Sequence, residues 1–383
     1  MAEAKPEIPV VIVGGGPVGL FLAISLIKKG VKCRVLERRK DPVPDSRSLG
    51  IHPVSLELFD ELGITLPFLK AGLKIRKGIA FTENKKLGEI SFENCPQPHN
   101  YILACPQFTT ESILRKELHK LDSDALIQKA DFQGFEEKDQ HVLVNYHQTG
   151  DTQQIRCGYL VGCDGKNSQV RREASIHYSG KRYPDTYIMG DFEDTTNFGQ
   201  DAAVFLPRAG LIECFPLPNG MRRWVVKTDH YIKEPNKELL SSAIKTRIGY
   251  DISMAKNTML SSFGVQHFTA EVFAKGRILL AGDAAHVVSP IGGQGMNLGW
   301  LGAWKLSKIL SEETPSEAPD AYSKNHKKIV AKVARRAEMN MMLGRASKIP
   351  AFKNLFLKFL LRTPLKKKVA RLFTMRDLDS FGF

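Results

Sequence analysis

The run VIVGGGPVGLFLAISLI, Val11 to Ile27, decides the fold. With Val10 it makes 18 residues without a charge, enough apolar length to span a bilayer. Its middle argues against that. Gly14, Gly15, Gly16 and Pro17 would break or loosen a spanning helix. Ahead of them, Val10 to Val13 is a β-branched run; behind them, Leu20 to Ile27 suits a helix. The stretch therefore reads as strand, tight turn, helix. Gly14, Gly16 and Gly19 fall in G-x-G-x-x-G register. That spacing serves a sharp turn, close approach of a pyrophosphate, and tight helix–strand packing. The amides opening such a helix attract an anion.

A second strand follows at residues 33–37 and ends in an acid. Glu37 lies 18 positions past Gly19, near the spacing at which a carboxylate grips ribose hydroxyls. An ordinary exposed glutamate at a strand end would look the same in isolation. Together, turn and acid point to an ADP-containing dinucleotide without saying which one.

The bulk numbers set the frame. The chain has 383 residues, 43% of them hydrophobic, enough for two domains or one large discontinuous one. Its six cysteines (Cys33, Cys95, Cys105, Cys157, Cys163 and Cys214) are scattered without a C-x-x-C pair. This points to reduced thiols in a cytoplasmic setting and to no zinc or other metal site. The first nine residues lack the pattern of a secretory signal. The net charge of +14 is concentrated: residues 323–376 hold sixteen Lys or Arg against one acid, Glu338. A nucleic-acid partner is therefore not implied by the overall charge, and no base-stacking platform is interleaved with the basic run.

Along the chain, residues 53–64 read as a short helix with Leu56, Phe59 and Leu62 on one face and Gly63 as its stop. Residues 108–121 read as another, with Thr110 as N-cap. Residues 125–146 alternate like a pair of strands, and a further strand ends at Cys163-Asp164-Gly165. From about 176 to 268 short strands with turn signals take over, an antiparallel sheet inserted into the first domain. Its Phe205, Leu206, Phe215 and Trp224 would form either a hydrophobic cleft or simple sheet core. The run RILLAGDAAHVVSPIGGQGMN, Arg277 to Asn297, restores the strand–loop–helix style. Gly282-Asp283 ends a buried strand, and Pro290, Gly292, Gly293 and Gly295 open a long helix. A carboxylate there suits ribityl hydroxyls, and a glycine-rich helix start suits a delocalised anion such as the pyrimidine edge of a reduced flavin.

Three runs in order (GGGPVG with Glu37, Cys163-Asp164-Gly165, and Gly282-Asp283 with its PIGGQGMN tail) resemble the group A, para-hydroxybenzoate hydroxylase-like FAD-dependent aromatic-ring monooxygenases over about residues 9–345. The resemblance implies an α/β fold. A glutathione reductase-type, Rossmann-like FAD domain (1–75, 100–175 and 269–330) would carry an inserted, mainly antiparallel substrate sheet (76–99 and 176–268) and a basic helical region (331–383). It implies that Gly14, Gly16, Gly19 and Glu37, with Arg38, hold the ADP half of FAD. Arg47 would lie at the phosphates and Gln107 at the ribityl chain. Asp164, Gly165 and Arg171 would serve FAD and the nicotinamide nucleotide, and Asp283 the ribityl oxygens. Pro290, Gly293, Gly295 and Asn297 would border the isoalloxazine ring. No general base is assigned; His286 reads as packing beside Asp283 rather than as a base. Two departures stand out. His326 takes a place where relatives commonly have an arginine, and Trp300 and Trp304 do not form the W-x-W-x-I-P run of flavin-dependent halogenases.

The chemistry implied is reduction of FAD by NADPH or NADH acting as a transient visitor, addition of O2 to give a C4a-hydroperoxide, and hydroxylation of a hydrophobic aromatic or quinone-like small molecule. A flavin-dependent reductase on the same scaffold, such as a prenyl-chain reductase, and a non-catalytic FAD-containing metabolite-binding protein are the competing readings. The tail, residues 349–373, places Phe352, Leu355, Phe356 and Phe359 at helical spacing among lysines. It suits either a cap on the FAD domain, the favoured reading, or peripheral contact with an anionic membrane. Oligomeric state is not legible.

Overall fold

In the computed structural model, which describes residues 8–43, 48–82, 85–312, 318–345 and 350–381, the glycine turn lies at one end of a parallel sheet. Five strands run in the same direction in the order Ile278–Leu280, Asp151–Gly162, Ile8–Val13, Cys33–Glu37, Leu126–Gln128. Val10 to Val13 are buried, as a strand covered on both faces requires. Because the strands are parallel, Val13, Glu37, Gly162 and Leu280 all finish at the same edge. The three sequence signatures begin there, far apart in the chain and adjacent in space. Helix Pro17–Lys28 packs against Gly295–Leu310. Phe21, Phe59 and Trp300 knit the layer, their rings 5.0 to 6.3 Å apart.

A second sheet holds eight strands, all neighbours antiparallel except Ala202–Phe205 beside Lys77–Thr82. It gathers Lys77–Thr82, Lys85–Ser91, Tyr178–Glu193, Ala202–Phe205, Ile212–Leu217, Met221–Thr228 and Asn257–Ala270. The edge strand His286–Val287 joins it from beyond residue 269, so the third signature belongs to both layers. Its two faces differ. One is sealed by helix Lys237–Ile248 over Ile188, Ala203, Phe205, Cys214, Trp224 and Val226. The other carries Tyr187, Met189, Leu211 and Val225 and meets Ile291 and Met341.

Several local expectations change. Helix Lys237–Ile248 stands where the sequence reads only as strands. Asn236 accepts the Leu239 amide at its start, and Gly249 at φ +81° ends it. Residues 125–146 fall within three strands, Leu126–Gln128, Ala130–Glu137 and Val142–Gln148, rather than two. Thr110 lies inside helix Gln107–Leu121, whose N-cap is Pro106. Helix Ala318–Gly344 runs across residue 331, so no boundary falls there.

The C-terminal elements do not cap the FAD layer alone. Helix Pro350–Arg362 packs on the second sheet, Leu357 and Leu361 against Leu87. Helix Leu365–Phe373 places Ala370 against Phe92 and Cys95. The stripe expected to be packed faces outward where it is described: Leu355 is 67% and Phe359 59% exposed. The side chains of Phe352 and Phe356 lie outside the described residues. Among the described residues no helix is long and apolar enough to cross a membrane.

Candidate functional site

The site begins at the glycine turn. A Cβ on Gly14 would lie 2.4 Å from the Cys163 carbonyl oxygen, and one on Gly19 would lie 2.0 Å from the Gly14 oxygen. Both positions are closed to any side chain. A Cβ on Gly16 would meet nothing within 4 Å. Gly16 is also the N-cap of helix Pro17–Lys28, with no side chain capping it, so the first amides are available to an anion. Glu37 is already held in place: one carboxylate oxygen accepts the Gly15 amide at 2.7 Å, the other the Arg39 amide at 2.8 Å. Arg38 beside it is exposed. Gln107 opens its helix and donates to Glu111 at 2.8 Å. Arg47 lies outside the described residues.

The second signature abuts the first. Asp164 Oδ2 accepts the amides of Gln169 and Val170 at 2.7 and 3.2 Å, while its Oδ1 is buried without a partner. Gly165 takes φ +81°. Arg171 is buried and donates to the carbonyls of Ala284 and Lys166, both at 2.8 Å, with its guanidinium 3.7 Å from the Tyr178 ring centroid. It staples the second signature to the third. Asp283 is exposed to solvent at the end of its strand. Desolvation by the protein packed around it pushes its carboxyl up to about 6, against the pull of Lys166.

The third signature forms the far wall. Pro290 is exposed, and the Gly293 amide donates to its carbonyl at 2.9 Å. Gly292 and Gly293 both take positive φ, +93° and +65°, and Gly295 begins the long helix. Asn297 corrects the sequence expectation. Its side chain is fully buried and spends every polar valence inside the protein. It accepts from the His52 amide and Ser55 hydroxyl, both at 2.8 Å, and donates to Gly50 and Gly293 oxygens, both at 2.9 Å. It shapes the loop and has no side-chain atom left for a ring.

The sequence profile of the FAD-binding domain family matches residues 7–337. This chain belongs to that family. Its relatives are group A flavin-dependent aromatic-ring monooxygenases. It is 31% identical over 318 residues to the rifampicin monooxygenase of Streptomyces venezuelae, covering 81% of this chain and 65% of that one. It is 31% identical over 352 residues to the 12-dehydrotetracycline 5-monooxygenase/anhydrotetracycline 6-monooxygenase of Streptomyces rimosus, covering 87% and 69%. The fold matches the crystal structure of p-nitrophenol 4-monooxygenase from Pseudomonas putida with a TM-score of 0.87 over 99% of both chains, at 21% identity. The chain thus spans about two thirds of the curated relatives' length.

FAD is the cofactor of this flavoprotein family member, and the residues present fit it. The open face over Gly16, the uncapped helix start, the unpartnered Asp164 oxygen and the accessible Asp283 carboxyl offer donors and acceptors along one edge of the sheet. Three features of the flavoprotein's site escape a sequence reading. His52 is buried beneath the Gly292–Gly293 turn and held neutral, its pKa lowered to about 4 by burial despite the nearby Phe373, Gly292 and Gly293 carbonyls. The tail reaches the same loop, where Gln294 donates to the Leu372 carbonyl at 3.4 Å, and the helix Pro53–Glu61, where Arg376 pairs with Glu57 at 2.5 Å. Finally, Ile291 of the loop joins the inner face of the second sheet. Phe205 and Trp224, offered as cleft residues, lie on the opposite face as core; Leu206 borders the inner one.

His286 and His326 are packing residues. Their rings lie 5.3 Å apart, His326 stacked on Tyr322 at 5.5 Å and pressed against Gly302. Burial pushes both imidazoles down, that of His286 to about 3. Both are neutral at ordinary pH and distant in role from proton transfer.

Proposed function

We propose that this chain is an FAD-dependent monooxygenase that consumes NADPH or NADH and O2 and hydroxylates a hydrophobic aromatic or quinone-like small molecule. The observation that carries this reading is the meeting of the Pro290–Gly293 turn with the apolar inner sheet face at Ile291. A ring site that opens onto a dry apolar surface suits oxygen chemistry that water would short-circuit. Bound FAD would supply the transfer of electrons from nicotinamide to oxygen. The chain's own residues do the rest. Gly14, Gly16, Gly19 and Glu37 hold the ADP portion, Asp164 and Asp283 the polar linker, and Gly293 and Gly295 the ring edge. Arg171 and Asn297 brace these loops, and the inner sheet face excludes water. Purified protein should be yellow. Anhydrotetracycline and a panel of polycyclic phenols should include compounds that accelerate NADPH oxidation with matching O2 uptake and yield a product heavier by one oxygen atom. NADPH oxidation that proceeds equally without oxygen would replace this reading with a reductase. A yellow protein that no compound stimulates would replace it with a binding protein.

The tail supports a second element of the reading, contact with an anionic membrane surface from the cytoplasmic side. Leu355, Phe359, Leu365 and Leu372 are exposed among exposed Lys358, Arg362, Lys366, Lys367, Lys368 and Arg371. Apolar side chains interleaved with cations fit an anionic bilayer interface. Full-length protein should co-sediment with phosphatidylglycerol vesicles, less with phosphatidylcholine vesicles, and lose binding on Leu355→Ser/Phe359→Ser. Equal behaviour of variant and wild type would remove the membrane.

A further inference from the structure

The inner face of the second sheet carries an apolar centre, Tyr187, Met189, Leu211 and Val225, with Glu213 set among them. Glu213 sits in strand Ile212–Leu217, paired with Val204 on one side and Val225 on the other. Those two residues line the same face as Met189, Tyr187 and Leu211, and this is the face that meets Ile291 of the flavin loop. Two positions along, Phe215 packs against the cluster of Ile75, Ala104 and Ala202. Glu213 thus lies on the face that meets Ile291, between that contact and the cluster around Phe215. It is enclosed but not sealed, 9% exposed, and among the described residues no hydrogen bond or ion pair reaches its carboxyl.

The charged neighbours on that face are occupied elsewhere. Arg223 makes two bonds to Asp191, at 2.7 and 2.8 Å. Asp185 is held by Arg345 from the end of helix Ala318–Gly344, with Lys227 at 3.9 Å. Met341 from that helix and Ile291 from the loop are apolar. Tyr187 and Ser261 are the uncharged polar groups facing this surface. The Tyr187 hydroxyl is buried and unpartnered while its ring stacks on Phe263 at 5.2 Å. Burial alone pushes the Glu213 carboxyl up to about 7. An acceptor and a hydroxyl left unmatched on an apolar wall cost free energy in the folded protein, and a ligand that brings matching groups recovers it.

We propose that Glu213 is the specificity-determining residue of this site, accepting a hydrogen bond from a hydroxyl on the aromatic substrate and so fixing which edge of the ring faces the flavin loop. The proposal rests on the monooxygenase reading for its reaction, but its test is a binding measurement. The substrate class that follows is a neutral hydroxylated aromatic, rather than a carboxylated one, which Glu213 would repel, or a plain hydrocarbon, which would leave it unmatched.

The experiment uses FAD-loaded protein and 2-naphthol, with 2-methoxynaphthalene as the analogue that cannot donate, followed by perturbation of flavin absorbance from pH 6 to 8.5. A phenol of this kind ionises near 10, as tyrosine does, so a change of affinity in this range belongs to the protein. Wild type should bind 2-naphthol several-fold more tightly at pH 8 than at pH 6, since the carboxylate accepts better than the acid. Glu213→Gln should bind about tenfold more weakly at pH 8 and lose the pH step, while retaining FAD. Glu213→Asp should keep the pH step. The methoxy analogue should bind all three alike and without pH dependence. Failure of wild type to bind 2-naphthol, a pH step that survives in Glu213→Gln, or equal affinity of both ligands for wild type would overturn the assignment. None of these outcomes bears on whether the protein consumes NADPH and O2, so the two readings fail separately.

Discussion

Asn297 shows how much one buried side chain can hold. Replacing it with leucine strands the His52 amide, the Ser55 hydroxyl and the Gly50 and Gly293 oxygens. Each unmatched buried group costs roughly 1–3 kcal/mol. Asn297→Leu should therefore lower unfolding stability by at least about 3 kcal/mol, and urea titration followed by tryptophan fluorescence would show it. Gly19→Ala should instead yield folded or partly folded protein that purifies colourless, because its Cβ has no room beside the Gly14 oxygen. Retention of stoichiometric FAD by that variant would refute the packing argument. The buried histidines set an acid limit. His52 and His286 have pKa values lowered to about 4 and about 3, against an ordinary value near 6.5. Below that value the unfolded chain binds protons that the folded chain refuses, so their contribution falls as pH drops from 6.5 toward 4. Glu213 and Asp283, raised to about 7 and about 6, bind protons in the folded state over much of the same range and offset part of the loss. His286→Leu should flatten the decline by about 1.4 kcal/mol per pH unit below 6.5, measured by urea titrations at pH 6.5 and 4.5. At this scale Glu37 and Asp283 were legible because their types and spacings are fixed by the ligand. His52 and Glu213 were not, since nothing local to either announces burial beside a segment distant in the chain.

Elements were legible in proportion to how far local pattern decided them. The strand–turn–helix of residues 8–28 announced itself through its glycines, and helix Pro53–Glu61 through Leu56 and Phe59. Helix Lys237–Ile248 carried signals too, Asn236 at its start, Gly249 at its stop and Leu240, Ile244 and Ile248 at four-residue spacing, but they were submerged in a region of strands. Asn236→Ala should cost about 1 kcal/mol and loosen the outer face of the second sheet. Hydrogen exchange should rise in residues 237–248 and stay unchanged in Ile8–Val13; a uniform rise would contradict it. The tail shows the opposite failure. The stripe through Leu355 and Phe359 was correctly read as helical, yet the buried residues are Leu357 and Leu361. Both sides of that helix are apolar, and only the position of Leu87 on an edge strand determines which one is covered.

At the scale of the molecule, the site is a seam. Parallel strand ends and the loop beyond residue 288 meet the inner sheet face at Ile291, so a cofactor proposed to lie there and the fold would support each other. Titrating FAD to a hundred times its dissociation constant should add about 2.7 kcal/mol to unfolding stability, read as a rise in melting temperature; FAD that binds without raising it would argue against an interlayer site. The order of the three signatures was visible in the sequence because each must end a strand at one common edge. The inner sheet face was not, because alternation alone does not say which face is covered by helix Lys237–Ile248 and which by the FAD layer. The tail adds a constraint of timing. Leu372 buttresses the Gly292–Gln294 loop and Arg376 the helix Pro53–Glu61, and both are made long after the glycine turn. The glycine turn can form as soon as the first parallel strands pair, but a ribosome must release residues as far as 372 before the loop proposed to seat the vitamin-derived end of the cofactor is buttressed. A stalled or prematurely ended translation product should therefore grip adenine nucleotides better than it grips flavin.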